Sequence, residues 1–253
     1  MAQPLLSLSF FCLFCTMKVL LNDYFTKALR GRKVLLGRDF YQRGQVRTNR
    51  LTFGNRFARW TFCPDGIDDR SVVYSFGVGE DISFDLSLIA RFGMHVHAFD
   101  PSPGSIGWIG RQDLPGQFHF HPYGLADRDG NIEFHEPARA GHNSLQMAVA
   151  GMNSNQASHT LPVRRLSSIM KELGHEKIHI LKMDIEGAEY GVIGDILSLP
   201  VPASQVLIEF HHRFKHIGVK KTREAIAALN GAGYRIFHVS ASGEEFSFIH
   251  PRS

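Results

Sequence analysis

The stretch Leu181-Lys182-Met183-Asp184-Ile185-Glu186-Gly187-Ala188-Glu189 places three carboxylates behind an apolar run. Ile178 to Met183 reads as a strand, which puts Asp184 at its C-terminal end, where open α/β sheets collect their ligands. Glu186 and Glu189 open the next helix three residues apart, hence on one face. Glu189 reads as ordinary helix N-terminal charge. Glu209-Phe210-His211-His212 ends a further strand, and alternation sets Glu209 and His211 on one side. Asp184, Glu209 and His211 are therefore expected to meet at a cleft rim. An imidazole, with an unperturbed pKa of about 6.5, suits removal of a proton from a reacting hydroxyl. The same trio offers ligands to a divalent cation, but no resident metal is assigned. In the plainer alternative, Glu209 and His211 satisfy each other and nearby backbone.

A second constellation lies upstream. Gly77-Val78-Gly79 follows a β-branched and aromatic run and precedes a helix. Glycines there let the backbone approach a nucleotide-like ligand. Asp100 ends the next strand, where a carboxylate can accept hydrogen bonds from a ribose diol. A dinucleotide fingerprint needs its third glycine at position 82, and the residue is Ile82. No Tyr-x-x-x-Lys pair offers hydride-transfer chemistry. A ligand with a ribose but no pyrophosphate fits better, and S-adenosylmethionine is one.

With these residues in view, the Lys182-to-Glu189 segment resembles the hallmark Lys-x-Asp-x-Glu-Gly-x-Glu of the FkbM family of S-adenosylmethionine-dependent methyltransferases. Val73 to Asp85 is similar to a eukaryotic methyltransferase-like branch of that family, and the likeness covers roughly residues 70 to 250. It implies a Rossmann-like class I methyltransferase fold, with a seven-stranded, mostly parallel sheet and the cofactor at the C-terminal strand edge. Ser75, Gly77, Gly79 and Glu80 would form the cofactor loop, Asp100 the ribose-binding acid, and Tyr123-Gly124-Leu125 the neighbourhood of the adenine. Many members carry an acidic residue where this chain has Ser75; Glu80 or Asp81 is the nearest substitute toward the methionine end.

Elements must position these residues, and the pattern after Cys63-Pro64-Asp65-Gly66 alternates strand and helix. Strands are expected over Ser71 to Phe76, Met94 to Phe99, Gln117 to Pro122, Ile178 to Met183 and Gln205 to Phe210, with an extra extended piece over Asn131 to His135. Helices are expected over Asp81 to Phe92, Ser167 (as cap) to Leu173, Ala188 to Leu199 and Lys221 to Leu229. Tyr234 to Val239 and Glu245 to Ile249 end the chain as a hairpin-like pair with an antiparallel last strand. This is a doubly wound α/β domain. His95/His97 and His119/His121 each share a strand face and can cluster, though such pairs are more often polar positions on half-buried strands. Ala140 to Ser158, with His142-Asn143-Ser144, reads either as a lid over the substrate or as a plain loop.

Hydrophobic residues make up 43% and charged residues 21%, globular values rather than disordered ones. Residues 1–70 hold 12 Lys and Arg against 5 Asp and Glu, whereas 71–253 hold 16 against 19. A mildly acidic remainder argues against nucleic acid as the partner. Three cysteines exclude a disulfide framework. The chain divides into an apolar segment (1–21), a basic extension (22–69) and the catalytic-type domain (70–253). The apolar segment is short for a bilayer span. It reads as a buried or frayed helix, an interfacial anchor with a basic flank, or a cleaved signal; cytoplasmic or membrane-associated placement is favoured over secretion. The primary expectation is S-adenosylmethionine-dependent methylation of a hydroxyl or carboxyl on a small-molecule, glycan or lipid acceptor. The rivals are a non-catalytic membrane-associated binding module on the same fold, and an NAD-dependent enzyme.

Overall fold

The computed structural model describes residues 25–56, 58–135, 146–147, 158–200, 202–214 and 216–251. The apolar segment 1–21 and His142-Asn143-Ser144 lie outside the described residues, as does most of Ala140 to Ser158. Residues 25–35 are helical (α1). A small hairpin, β1 (Leu51–Phe53) with β2 (Trp60–Phe62), leads into β3 (Val72–Phe76), α2 (Ser83–Phe92), β4 (His95–Phe99), α3 (Pro103–Ile109) and β5 (Phe118–His121). Then come β6 (Gly124–Leu125), β7 (Gly130–His135), β8 (Gln146–Met147), β9 (Ser158–Arg164) and α4 (Leu166–Leu173). The chain closes with β10 (Ile178–Met183), α5 (Glu189–Leu197), β11 (Ala203–Glu209), α6 (Gly218–Gly231), β12 (Arg235–Val239) and β13 (Glu245–Ile249).

Seven strands form one sheet in the order β12-β13-β11-β10-β3-β4-β5. β5, β4, β3, β10 and β11 pair in parallel, while β13 runs antiparallel to both β11 and β12. The expected doubly wound sheet with an antiparallel last strand is the observed one. The five parallel strands all point their C-terminal ends to one edge, so Gly77, Asp100, Asp184 and the residues after Glu209 emerge together. β6, β9, β7 and β8 form a second, four-stranded sheet over its own small core of Ala126, Ile132, Phe134, Leu161 and Val163.

Two apolar layers cover the main sheet. One holds Tyr74, Phe76, Phe99, Leu181, Met183, Ile208 and Phe246; the other holds Val73, Leu88, Val96, Ile180 and Leu207. Trp60, Phe62 and Cys63 are buried within the second layer, so the end of the basic extension is continuous with the domain core. Burial of a side chain such as Phe62 stabilises by roughly 1.5–3 kcal/mol. The α4 helix begins one residue before its expected cap, Ser167. Its cap position is Arg165, which makes no side-chain cap bond. Asp129 takes over instead, accepting from the Arg165 backbone N–H at 2.8 Å and from the Ser168 hydroxyl at 2.7 Å.

The four strand histidines do cluster. His95 Nδ1 stands 2.8 Å from His119 Nε2 and His97 Nδ1 stands 3.1 Å from His121 Nε2, with the rings stacked across β4 and β5. His175 meets His97 edge-on and shares a 2.7 Å hydrogen bond with the Tyr74 hydroxyl. Burial, then the neighbouring imidazoles, push His97 down to about 3. Burial, then His119 and Arg164, push His121 down to about 4. The unfolded chain takes up these protons below about pH 6.5, while the folded chain stays neutral there. These groups therefore leave stability intact above that pH and reduce it as the pH falls. His97→Gln is expected to flatten the fall in melting temperature between pH 7 and 5, by on the order of 1 kcal/mol after allowance for solvent screening. Thermal denaturation of parent and variant across that range checks this; parallel curves would contradict it.

Candidate active site

The loops after β3 and β10 are pressed against each other. Asp184 N donates to Phe76 O at 3.1 Å, and Gly77 N donates to Phe99 O at 3.0 Å. Gly77 has φ 71°, a left-handed conformation, and a Cβ there would stand 1.6 Å from the Asp184 carbonyl oxygen. Only glycine fits. Gly79 also has a positive φ, 55°, but a Cβ there would meet nothing within 4 Å. The loop is thus tight against the protein at Gly77 and open at Gly79.

Asp100 ties this loop to the next one. Its Oδ2 accepts from Gly79 N at 3.0 Å, and its Oδ1 accepts from Ser102 N at 2.9 Å and from Ser102 Oγ at 2.6 Å. Ser102 caps α3, a helix the sequence patterning missed because Pro103, Gly104 and Gly107 mask it. Asp100 is 7% exposed. Oδ1 is filled by its two Ser102 bonds, whereas Oδ2, with Gly79 N as its one donor, retains acceptor capacity for a further hydroxyl. Tyr123 is buried with its hydroxyl unpartnered, and the Arg164 guanidinium lies 4.6 Å from its ring centre. Gly124 and Leu125 are buried as β6, with Pro101 packed 3.2 Å from where a Gly124 Cβ would stand. Glu80 is exposed on the loop, and Asp81 Oδ1 accepts from Ser83 N at 3.0 Å.

Beneath the loop lies the first residue of the hallmark segment, whose burial the sequence did not disclose. Lys182 is 4% exposed; its Nζ donates to Phe76 O at 3.3 Å and Gly77 O at 3.2 Å and sits 5.1 Å from the Trp60 ring centre. Asp85, from α2, is 1% exposed. Burial pushes its carboxyl up to about 6, against the pull of Lys182 and Ser75. Ser75 is fully buried. Asp85, ten residues after Ser75 in sequence, is thus brought beside it and Lys182 by the fold alone.

Asp184 and His211 do converge. His211 Nε2 lies 3.8 Å from Asp184 Oδ1 and 3.4 Å from Glu186 Oε2, and His211 Nδ1 lies 2.8 Å from Glu189 Oε1. Glu189 is not a solvated helix-end charge: it is fully buried, and the same oxygen accepts from Ile185 N and Gly187 N. Its second oxygen is buried without a partner. Glu186 holds a left-handed φ of 53°, strained for a residue with a side chain. Burial works against charge on His211, but Glu189, Glu186 and Asp184 outweigh it and hold the imidazole up to about 10. Burial, then Asp184 and Glu245, push Glu209 up to about 9. Burial pushes Asp184 up to about 6, against Lys182 and His211. Near neutrality His211 is therefore an imidazolium and Glu209 a neutral acid. Asp184 is the member of the trio able to accept a proton. Among the described residues, Asp184, Glu186 and His211 also bring ligand atoms within 4.8 Å of one another, close enough for a metal ion.

Residues 72–236 match the methyltransferase FkbM domain. A probable methyltransferase-like protein 24 from Homo sapiens is 29% identical over 177 residues, covering 66% of this chain and 42% of that protein. Its Rattus norvegicus counterpart is 28% identical over the same length. The chain thus spans less than half the length of these relatives. A precorrin-6y C5,15-methyltransferase from Geobacter metallireducens GS-15 superposes over 73% of this chain and 82% of its own, with a TM-score of 0.37 at 10% identity.

The two loop glycines should respond differently to a methyl group. Gly77→Ala must separate the β3 and β10 loops and is expected to cost about 3 kcal/mol or more. Gly79→Ala meets only backbone strain and should cost about 1 kcal/mol. Urea denaturation of both variants measures this, and equal losses would contradict the assigned contact.

Proposed function

This chain belongs to the FkbM methyltransferase family, and from that premise we propose that it transfers a methyl group from S-adenosylmethionine to an oxygen acceptor. The observation that carries the reading is the contact of Gly77 with Asp184, which gives the glycine loop and the Asp184–His211 cluster a common rim. The residues present fit the cofactor. Gly79 leaves open space, Asp100 has acceptor capacity at the end of β4, and Tyr123 holds an unpartnered hydroxyl. Bound there, S-adenosylmethionine would supply an electrophilic methyl group on a sulfonium.

Asp100 would accept a hydrogen bond from the ribose diol at Oδ2 while holding Gly79 in place. Asp184 would take the acceptor's hydroxyl proton as that oxygen forms its bond to the methyl carbon and the carbon–sulfur bond breaks. Glu189 would fix the His211 ring, and the His211 imidazolium would orient Asp184. Glu209, protonated, is a hydrogen-bond donor toward the acceptor. Much of the rate gain would come from orientation. Such a rim suits a hydroxyl or carboxyl on a small molecule, glycan or lipid.

Calorimetry with S-adenosylmethionine and S-adenosylhomocysteine tests the binding step. Asp100→Ala is expected to weaken binding by an order of magnitude or more, since each hydrogen bond to a charged group is worth about 1.5–3 kcal/mol. Asp184→Asn should bind the cofactor within a few-fold of parent yet lower turnover about a hundredfold or more. The parental rate should climb from pH 5 to 7 as Asp184 loses its proton. Turnover that falls with chelator and returns with magnesium would instead assign Asp184, Glu186 and His211 to a metal. No heat with either ligand would overturn the proposal, and binding without turnover on any hydroxyl acceptor would favour a binding module.

A further inference from the structure

Five of the six large apolar side chains left exposed among the described residues fall within residues 25–41: Phe25, Leu29, Leu35, Leu36 and Tyr41. Leu35 is 89% exposed. Scattered exposed apolar residues are ordinary, but a cluster of this kind marks a contact surface. Phe25 and Leu29 lie one turn apart on α1 and share a face, opposite the one on which Lys27, Arg30, Gly31 and Val34 line a groove. Tyr41 lines that groove too, and Leu35 directly follows Val34.

The same segment is strongly basic. Residues 25–50 contain eight Lys and Arg and a single acid, Asp39. Asp39 is buried and already paired with Arg213, Arg30 and His212. Between α1 and the C-terminal end of β12 runs a groove of about 790 Å³, lined by Lys27, Arg30, Arg43, Arg47 and Arg50 and by no carboxylate. Lys27, Arg47 and Arg50 have no acidic partner among the described residues. The surface is fixed to the domain. Gln45 N and Val46 N donate to Ile236 O at 2.6 and 3.1 Å, Ile236 N donates to Gln45 Oε1 at 2.8 Å, and Phe40 stacks on Phe246.

We propose that residues 25–50 form an interfacial surface that seats against an anionic lipid bilayer, with a headgroup phosphate in the basic groove. A bilayer surface accepts both features at once: cations at the headgroups, and Tyr41 and Leu35, beside the groove, at the acyl boundary. A nucleic-acid backbone would leave the exposed leucines without a partner. Contact from the side also agrees with the finding that no helix among the described residues is long and apolar enough to cross a membrane. Val239 and Ser240 line the groove at the end of β12, on the sheet edge where β10 and β11 deliver Asp184 and Glu209. The bilayer would therefore lie beside the candidate active site. The inference does not depend on methyl transfer.

The full chain should be sedimented with vesicles of phosphatidylcholine alone and of phosphatidylcholine with phosphatidylserine, at low and high salt. Binding is expected only with phosphatidylserine and should weaken as salt rises. Arg43→Glu/Arg47→Glu/Arg50→Glu should reduce it at least about tenfold. Leu35→Ser/Leu36→Ser should reduce it several-fold at either salt. All these side chains are exposed, so melting temperatures should stay at the parental value. Arg43→Gln/Arg47→Gln/Arg50→Gln repeats the test without added repulsion. Undiminished binding by these variants would overturn the proposal and assign the contact to residues 1–24. Equal binding to both vesicle types would overturn it. So would capture of inorganic phosphate, or of duplex RNA, without vesicle binding.

Discussion

The absence of a side chain at Gly77 governs the whole strand edge. Met183 pairs with Phe76 in the parallel register of β10 and β3, and Asp184 N continues the ladder to Phe76 O. The next residue of β3 must then turn in the left-handed region directly against the Asp184 carbonyl. Lys182 reinforces the join by donating to Phe76 O and Gly77 O from within the core. Two loops almost 110 residues apart in sequence become one rigid rim. Asp100 extends it through Gly79, and Glu189 extends it through His211.

The electrostatics of that rim follow from how few cations face it. Asp184, Glu186 and Glu189 surround one imidazole, while the Lys182 ammonium is directed to backbone carbonyls. Burial makes each additional negative charge costly, so the cluster holds protons where it can. Glu209 and His211 keep theirs, and Asp184 is left poised near 6. In the proposed reaction, the imidazole at the strand end would serve as a charge that orients its neighbours, and the proton-accepting part, which residue type alone would give to the histidine, would pass to the aspartate.

The parallel strands were legible because their β-branched and aromatic runs are bounded by Gly, Pro and Asp, and Ile178 to Met183 and Glu245 to Ile249 match residue for residue. β9 was hidden by Pro162 within a polar stretch, and α3 by its own glycines and proline. Asp100, Asp184 and Gly77 could be placed from strand ends alone. The partnership of Glu189 with His211 could not, because the two are separated by 22 residues and an intervening strand, and burial is a property of the assembled layers. Asp85 escaped notice for the same reason: on α2 it resembles any first-turn acid until Lys182 is seen beneath it.

If the Gly77 and Asp184 loops are one site, a cofactor must order both. Hydrogen–deuterium exchange on the full chain, with and without S-adenosylhomocysteine, reads this directly. Backbone amides of residues 77–81 and 184–187 should gain protection together at the same ligand concentration. Protection of the 77–81 loop with no change at 184–187, or of neither, would contradict the account.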